Sequence, residues 1–429
     1  MFEKISFLSF SNLIRNRSIQ NFLFLAIIQS SNVLISIISM PLLIQSIGVD
    51  QFGLVNLALS VIILLNIVVG FGYNLSAPKD VAVNQKNKDA LSHVVSNVFS
   101  GKVLLASLCA LGVFVAVFGL DLFKEYQMIL AYSVLLLFSE ATLPLWFFQG
   151  MEKMKLISIA NIFSKLLFLM GIVLFIHSPE QSKWINFMLG AFGLAINLFL
   201  LFYIHQILEI KFYRPDFSSI FKSLKSNVLF FFSNLASHIS INGGLIILSF
   251  FSVAETLGMY SLAERVVMVL RLFPALIIQA VYPNSAKLYQ SDPHSFYRFL
   301  KNVYLRVLLI GALISFSTYF MAEWIIQVLA KEKLEESVVY LKILSAVPFM
   351  ACLNVGNVVM LLVADLKDLL FKASWMMCLY MIVVSSILTS IFGGIGLCYA
   401  IISTEFVVLV ICLILIYRRN PALIRGFYT

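Results

Sequence analysis

The chain has 429 residues, of which 61% are apolar and only 12% are charged, and its mean hydropathy is +0.97. Soluble domains carry about 25% charged residues, so this composition excludes a water-soluble globule and indicates a membrane protein. The net charge of +9 does not indicate a nucleic-acid partner. The basic residues lie in short blocks between apolar runs, as orientation in a bilayer requires.

Long apolar runs follow one another along the whole chain. A helix needs about 20 residues to cross the hydrocarbon core, and runs of that length without strict alternation favour helices over a barrel. The sequence therefore predicts an all-α polytopic membrane protein with twelve transmembrane helices. The predicted spans are residues 19–42, 54–74, 100–119, 127–148, 157–176, 184–206, 227–251, 258–281, 303–328, 338–362, 369–391 and 395–417.

Lysine and arginine are divided unevenly between the two sets of loops. One set, together with both terminal tails, contains 20 of the 30 basic residues, whereas the opposite set contains 4. Cytoplasmic loops carry the excess of positive charge, so we expect both termini in the cytoplasm. The loops are too short for a catalytic domain, and any function should therefore lie within the helices.

Two segments half a chain apart resemble each other. The sequence DQFGLVNLA at 50–58 aligns with ETLGMYSLA at 255–263, at an offset of 205 residues. Shorter matches recur near the same offset. The pattern predicts two six-helix bundles, residues 1–210 and 211–429, related by a pseudo-two-fold axis along the membrane normal with a site between them.

Polar residues recur at helical spacing in predicted helices 1 and 7. Helix 1 carries Gln29, Asn32 and Ser36, and helix 7 carries Asn234 and His238. Residues three or four apart share one face of a helix. Such a stripe either lines a cavity or forms hydrogen bonds between helices, and the sequence leaves both interpretations open.

Ionisable residues also lie at membrane depth, where each costs at least about 2.5–3.5 kcal/mol near a helix centre. The candidates are Lys102, Glu140, Lys165, Glu264, Arg265, Arg271 and Glu405. Glu140 and Lys165 fall at matching depth in neighbouring helices, so we expect them to pair. Glu264 and Arg271 are seven residues apart and should share a helix face.

The four basic candidates are interpreted as lining a cationic cavity. Lys102, Lys165, Arg265 and Arg271 would suit an anionic cargo, because lysine and especially arginine bind phosphate well. The carboxylates Glu140, Glu264 and Glu405 are candidates for ion coupling or for structural ion pairs. We expect Gln29, Asn32, Asn234 and His238 to line the same cavity.

No pattern of catalytic residues emerges from the sequence. The five cysteines include no C-x-x-C pair, so we predict neither a disulfide framework nor a metal site. A phosphate-binding G-x-x-x-x-G-K loop is also missing from the sequence. We therefore expect the protein not to be an enzyme and to need no cofactor.

Several segments carry a resemblance to a known family. They are PLLIQSIGVDQFGL (41–54), FGYNLSA (71–77), PLWFFQGMEKMK (144–155), YSLAER (260–265) and YPNS (282–285). Together they resemble the Wzx-type polysaccharide flippases, which transport O-antigen repeat units. That family belongs to the multidrug/oligosaccharidyl-lipid/polysaccharide exporter superfamily. Within 144–155 we expect Trp146 at the membrane interface and Gly150 at the end of helix 4.

This resemblance implies a cargo, a mechanism and a location. The cargo would be an oligosaccharide linked to undecaprenyl diphosphate, an O-antigen or capsule repeat unit. It would pass from the inner to the outer leaflet of the cytoplasmic (inner) membrane by alternating access, coupled to an ion gradient. The lipid bilayer, a polysaccharide polymerase and a chain-length regulator would be its partners.

Two other functions remain to be weighed. A cation-coupled small-molecule (multidrug) exporter of the same superfamily would favour acidic residues at depth, whereas the basic candidates favour an anionic cargo. A membrane-embedded polysaccharide polymerase or ligase would be expected to carry a long outer loop, and the predicted outer loops are short.

Overall fold

The computed structural model describes residues 17–214 and 217–428. Residues 1–16, most of the predicted cytoplasmic N-terminal tail, lie outside the described residues. Within the described part the chain is helical, as expected where no water is present to satisfy backbone polar groups. Nine of its helical stretches are long and apolar enough to cross a membrane, so the chain is a multi-pass membrane protein.

The first helices run from the start of the described residues to Gln206. They are α1 (Arg17–Gly70), α2 (Tyr73–Asn84), α3 (Lys88–Phe114), α4 (Gln127–Ser133), α5 (Leu135–Thr142), α6 (Leu145–Gly150), α7 (Met154–Phe175) and α8 (Lys183–Gln206). A π-helical turn, Val115–Gly119, extends α3, and a 3₁₀ turn, Pro179–Gln181, precedes α8.

The remaining helices begin at Phe217. They are α9 (Phe217–Asn242), α10 (Gly244–Ser249), α11 (Ala254–Leu270), α12 (Leu272–Ser291), α13 (Pro293–Ala330), α14 (Glu335–Leu344), α15 (Val347–Leu353), α16 (Val355–Val363), α17 (Lys367–Arg419) and α18 (Pro421–Tyr428).

Helices α1 and α17 are each broken at a glycine. Gly48 in α1 has φ 81° and ψ 166°, and Gly393 in α17 has φ 58° and ψ −138°. Glycine adopts such positive-φ conformations without the steric cost that a Cβ imposes. Each glycine therefore divides a continuous run of helix into two parts.

The chain divides into two compact units. Unit 1 comprises the residues up to Ile47 together with Val61–Leu235, and unit 2 comprises Gly48–Ser60 together with the residues from Ala236 onward. In unit 1, α8 packs against both α5 and α7, and α3 packs against α5. In unit 2, α11 packs against α14, and α10 packs against α17.

The aromatic run in 144–155 lies inside unit 1. Trp146, Phe147 and Phe148 are at most 3% exposed and pack with Tyr73 of α2, among other residues. The rings are thus packed between helices rather than presented at a membrane interface. Gly150 faces α2, where an added Cβ would lie 2.6 Å from the carbonyl oxygen of Pro78.

A stripe of large apolar side chains runs along α13 on its exposed side. It consists of Leu309, Leu313, Phe316, Phe320 and Trp324, each at least 60% exposed. Their spacing of three or four residues places them on one face of the helix. In a membrane protein such a face lies against lipid, which is as apolar as the side chains themselves.

The two segments of the sequence repeat meet within unit 2. A Cβ added at Gly53 would lie 2.7 Å from the carbonyl oxygen of Ala254 and closer still to the backbone nitrogen of Gly258. A Cβ at Gly258 would overlap the backbone at Val49. The equivalent glycines of the two repeat segments therefore face each other. Each permits a close approach of the opposite backbone, which the side chain of a larger residue would prevent.

Candidate functional site

A polar pocket of about 430 Å³ lies among α1, α5, α7 and α8 of unit 1. Its polar lining is contributed by Asn32, Asn66, Ser139, Glu140, Asn161, Ser164, Lys165 and Asn197. Leucine, isoleucine and glycine residues complete the walls. Its volume lies within the range of about 300–1,000 Å³ typical of small-molecule sites.

Glu140 at the edge of this pocket forms an ion pair with Lys102 of α3. The distance between Lys102 Nζ and Glu140 Oε1 is 3.3 Å, and the side chains are 1% and 24% exposed. The predicted pairing of Glu140 with Lys165 is therefore wrong. Depth along a helix does not identify its neighbours, and α5 packs against α3, which places Lys102 within reach.

Lys165 lines the same pocket without a partner. Among the described residues, none forms a hydrogen bond or an ion pair with its ammonium group. Asn161 lies one turn earlier on α7 and accepts a hydrogen bond of 3.4 Å from the Ser31 hydroxyl. The Lys102–Glu140 pair is neutral as a whole, so Lys165 leaves the pocket with one unmatched positive charge.

Amide side chains supply most of the remaining polarity. Asn197 Nδ2 donates to the carbonyl oxygen of Ser139 at 2.8 Å. The Oδ1 atoms of Asn32 and Asn66 are buried and have no hydrogen-bond partner in the described part of the chain. Buried polar atoms are nearly always hydrogen-bonded, so these oxygens are available to a ligand or to water.

Both predicted basic site residues of unit 2, Arg265 and Arg271, have hydrogen-bond partners. Arg271 lies at the junction of α11 and α12 and forms an ion pair with Glu405 of α17. The Nε and Nη2 atoms of Arg265 donate to Asn56 Oδ1 at 3.2 and 2.8 Å. Glu264 accepts a hydrogen bond of 3.2 Å from the Tyr260 hydroxyl.

The structure brings only some of the predicted site residues together. Asn32, Glu140 and Lys165 line the unit 1 pocket, with Lys102 buried beside it. The side chain of Gln29 is exposed and does not line this pocket, and Asn234 is partly buried in α9. His238 is exposed, with a ring nitrogen 3.4 Å from Asn242 Nδ2. His238 does not line this pocket.

Sequence reasoning missed three asparagines of the pocket. Asn66, Asn161 and Asn197 each interrupt an apolar run, and Asn161 precedes Lys165 by four residues on the same face of α7. An amide side chain in the middle of a predicted span itself indicates a polar environment between helices. The spacing of Asn161 and Lys165 within one helix could have identified Asn161. The placement of Asn66 and Asn197 at the same pocket depends on the packing of helices, which the spacing within one helix does not predict.

The fold is that of known membrane transporters. An inward-facing multidrug resistance transporter of the MATE family, in the MOP superfamily, superposes with a TM-score of 0.74 at 10% identity, covering 94% of this chain and 99% of that chain. The lipid II flippase MurJ superposes with a TM-score of 0.70 at 15% identity, covering 92% and 87%. The chain is thus an all-helical membrane protein with a MATE-like fold.

Residues 18–289 match the family described as "Polysaccharide biosynthesis protein". The match covers more than half of the chain, which therefore belongs to this family, and the resemblance found in the sequence is confirmed. A protein of Escherichia coli strain K12 assigned as an O-antigen transporter is 23% identical over 94% of this chain and 97% of its own length. A Shigella dysenteriae protein with the same assignment is 27% identical over 70% and 75%. Both relatives are assigned as transporters, in agreement with the prediction that this chain is not an enzyme.

Proposed function

We propose that the protein is a flippase for an oligosaccharide linked to undecaprenyl diphosphate, an O-antigen or capsule repeat unit. It moves this cargo from the inner to the outer leaflet by alternating access, coupled to an ion gradient. The observation that carries the proposal is the unit 1 pocket, in which Lys165 supplies an unmatched positive charge. Its family, and the assignment of two relatives as O-antigen transporters, support the same cargo.

The proposed cargo-contacting residues lie in both units. In unit 1 they are Lys165 and Asn32, with Lys102, Gln29 and Asn234 as further candidates. In unit 2 they are His238, Arg265 and Arg271. Glu140, Glu264 and Glu405 are the proposed coupling or ion-pair residues, since each already binds a cation or a hydroxyl that a change in protonation would release.

The proposal includes twelve crossings in two six-helix bundles, residues 1–210 and 211–429. One crossing takes about 20 residues, so the candidate spans Ile27–Asn84 and Lys367–Arg419, of 58 and 53 residues, are each long enough for two. Each contains a break at a glycine. Helices α9 and α10, which are not among the nine candidate spans, provide one more crossing.

We place the protein in the cytoplasmic (inner) membrane with both termini in the cytoplasm. The distribution of basic residues in the loops supports this orientation. Cysteines introduced singly at Lys124 and at Lys287 would test it in intact cells. We expect a membrane-impermeant thiol reagent to label the first position and not the second, and the reverse pattern would reject the orientation.

Deleting the gene tests the proposed activity. We expect lipid-linked repeat units to accumulate in the inner leaflet and the surface glycan to disappear, because the cargo can no longer cross. A plasmid copy of the gene should restore export. Unchanged surface glycan in the deletion strain would contradict the proposal. A polysaccharide polymerase and a chain-length regulator, the proposed protein partners, would act on the cargo after it has crossed.

A small-molecule exporter is the second candidate, because a multidrug transporter shares the fold. Such a protein would export organic cations, which the unmatched charge of Lys165 repels. We therefore expect the deletion strain to keep its susceptibility to cationic dyes and drugs. A clear increase in susceptibility, with normal surface glycan, would favour this alternative.

A further inference from the structure

The charge balance of the unit 1 pocket identifies the kind of ligand that it accepts. Lys102 neutralises Glu140, and Lys165 remains without a counter-ion among the described residues. An unmatched charge at membrane depth is costly, and such residues mark functional sites. A ligand that supplies one negative charge would offset this cost, whereas a cation would add to it.

The amides of the pocket offer hydrogen-bond acceptors to a ligand. Asn32 Oδ1 and Asn66 Oδ1 are buried acceptors that no described residue satisfies. Asn161 and Asn197 add two more amides, and aliphatic side chains such as Ile63 and Ile157 form the walls between them. A compact molecule with hydroxyl groups on an apolar ring framework matches this mixture, and a hydrocarbon tail does not.

A carboxylate matches the pocket better than a diphosphate does. The pocket offers one lysine, and no arginine is among its lining residues. Arginine provides the paired donors that suit phosphate oxygens, and a diphosphate needs several positive charges. A single point charge surrounded by amides suits a monoanion that carries hydroxyl groups.

We infer that this pocket binds an acidic sugar residue, one that bears a carboxylate, within the glycan of the cargo. Lys165 neutralises the carboxylate, and Asn32 and Asn66 accept hydrogen bonds from the sugar hydroxyls. The inference rests on the proposed function and adds to it the chemical class of the transported glycan. It also gives the pocket a role in discriminating between charged and neutral repeat units.

Binding of simple glycosides to the full-length protein in detergent tests this inference. The probes are methyl glucuronoside, methyl glucoside and inorganic phosphate. A hydrogen bond to a charged group is about twice as strong as one between neutral groups, so we expect the glucuronoside to bind at least about tenfold more tightly than the glucoside. Phosphate should bind more weakly than the glucuronoside.

Two substitutions of Lys165 separate its charge from its shape. In K165Q the ratio of glucuronoside affinity to glucoside affinity should fall to about one, since the counter-charge is gone. K165R should keep most of the wild-type preference for the glucuronoside. The matched control is K155Q, because Lys155 lies exposed ten residues earlier on the same helix α7. K155Q should bind all three probes as the wild type does.

The outcomes distinguish this inference from the proposed function. A wild-type protein without preference for the glucuronoside, or a preference that survives in K165Q, would overturn the inference. Tighter binding of phosphate through Lys165 would also overturn it and would assign the pocket to the carrier headgroup. A surface glycan without any carboxylated sugar would also overturn the inference. In each case the flippase proposal would stand or fall by the deletion phenotype alone.

Discussion

The two units of the protein treat buried charge differently. In unit 1 a lysine pairs with Glu140, and a second lysine in the same pocket, Lys165, has no described partner. In unit 2 Arg271 is matched by Glu405, and Arg265 donates twice to Asn56. The comparison teaches that the number of ionisable residues in a span says little about function. A buried charge without a counter-ion gains more from binding an oppositely charged ligand than a paired charge does.

A matched pair contributes to structure mainly because separating it is costly. Removing one partner of a buried ion pair leaves an uncompensated charge. An unmatched charge behaves in the opposite way, since its removal relieves a cost that the protein already bears. The stability of variants therefore reports which charges are structural, independently of any transport assay.

The largest expected effect is that of Arg271→Ala. The substitution leaves Glu405, which is 7% exposed, without its partner, and breaking a buried pair costs about 3–5 kcal/mol. We expect a strongly lowered melting temperature in detergent. The double variant Arg271→Ala/Glu405→Ala should recover part of the loss. Arg306→Ala, at an exposed position of α13, is the matched control. A stable Arg271→Ala protein that fails to transport would show that unit 2 also holds a functional charge.

A smaller effect is expected from Lys102→Met. This substitution removes the partner of Glu140, at a cost of about 1–3 kcal/mol for a buried group left unsatisfied. The loss should be smaller than that of Arg271→Ala, because Lys165 lines the same pocket as Glu140 and we expect it to move towards the unpaired carboxylate.

The double variant Lys102→Met/Lys165→Gln tests this compensation. We expect its melting temperature to fall further than the sum of the two single changes, since no lysine then remains for Glu140. Strict additivity would mean that Lys165 cannot reach Glu140, and the unit 1 pocket would then contain two independent charges.

A third effect concerns the contact between the repeat segments in unit 2. A Cβ at Gly53 would overlap the backbone at Gly258, and overpacking costs about 1–3 kcal/mol. We expect Gly53→Ala to lower the melting temperature. Gly112 is the matched control in unit 1, because nothing lies within 4 Å of a Cβ added there. Gly112→Ala should be neutral or stabilising by up to about 1 kcal/mol. Equal melting temperatures of the two variants would mean that the contact contributes nothing to the stability of unit 2.

The sequence predicted those features that depend on one segment at a time. Apolar runs predicted the helices, and the chemistry of membrane-depth residues singled out Lys102, Glu140 and Lys165 before any contact was known. The segments 50–58 and 255–263 meet at Gly53 and Gly258, whereas their interpretation as repeats of two six-helix bundles stays a prediction.

Features that depend on packing between segments were not predicted. Glu140 has two lysines at comparable depth, and only the packing of α3 against α5 selects Lys102. Gly150 is the last residue of α6, as expected, but the positive φ of 54° belongs to Glu152, and the contact of Gly150 with α2 was not predicted. In both cases the deciding neighbour is distant in sequence.

The smallest effect is expected at the surface of unit 1, where Glu209 forms an ion pair with Lys88. The hydrogen bond and the charge of Lys88 lower the pKa of Glu209 below its ordinary value of 4.5. Stability from a depressed carboxyl pKa is present above the ordinary pKa and is lost as the pH falls through the lowered one. Both side chains are well exposed, so the contribution is weak and screened by salt.

The variant Glu209→Gln should therefore melt only slightly below the wild type at neutral pH, and the difference should vanish as the pH falls below the lowered pKa. A difference that persists in acid would show that Glu209 acts through packing rather than charge. A difference as large as that of Arg271→Ala would break the comparison itself. We expect the ion pair of unit 2 to contribute more to stability than this surface pair, because the two pairs differ in exposure. Water screens the charges of Lys88 and Glu209, whereas the charges of Arg271 and Glu405 depend on each other.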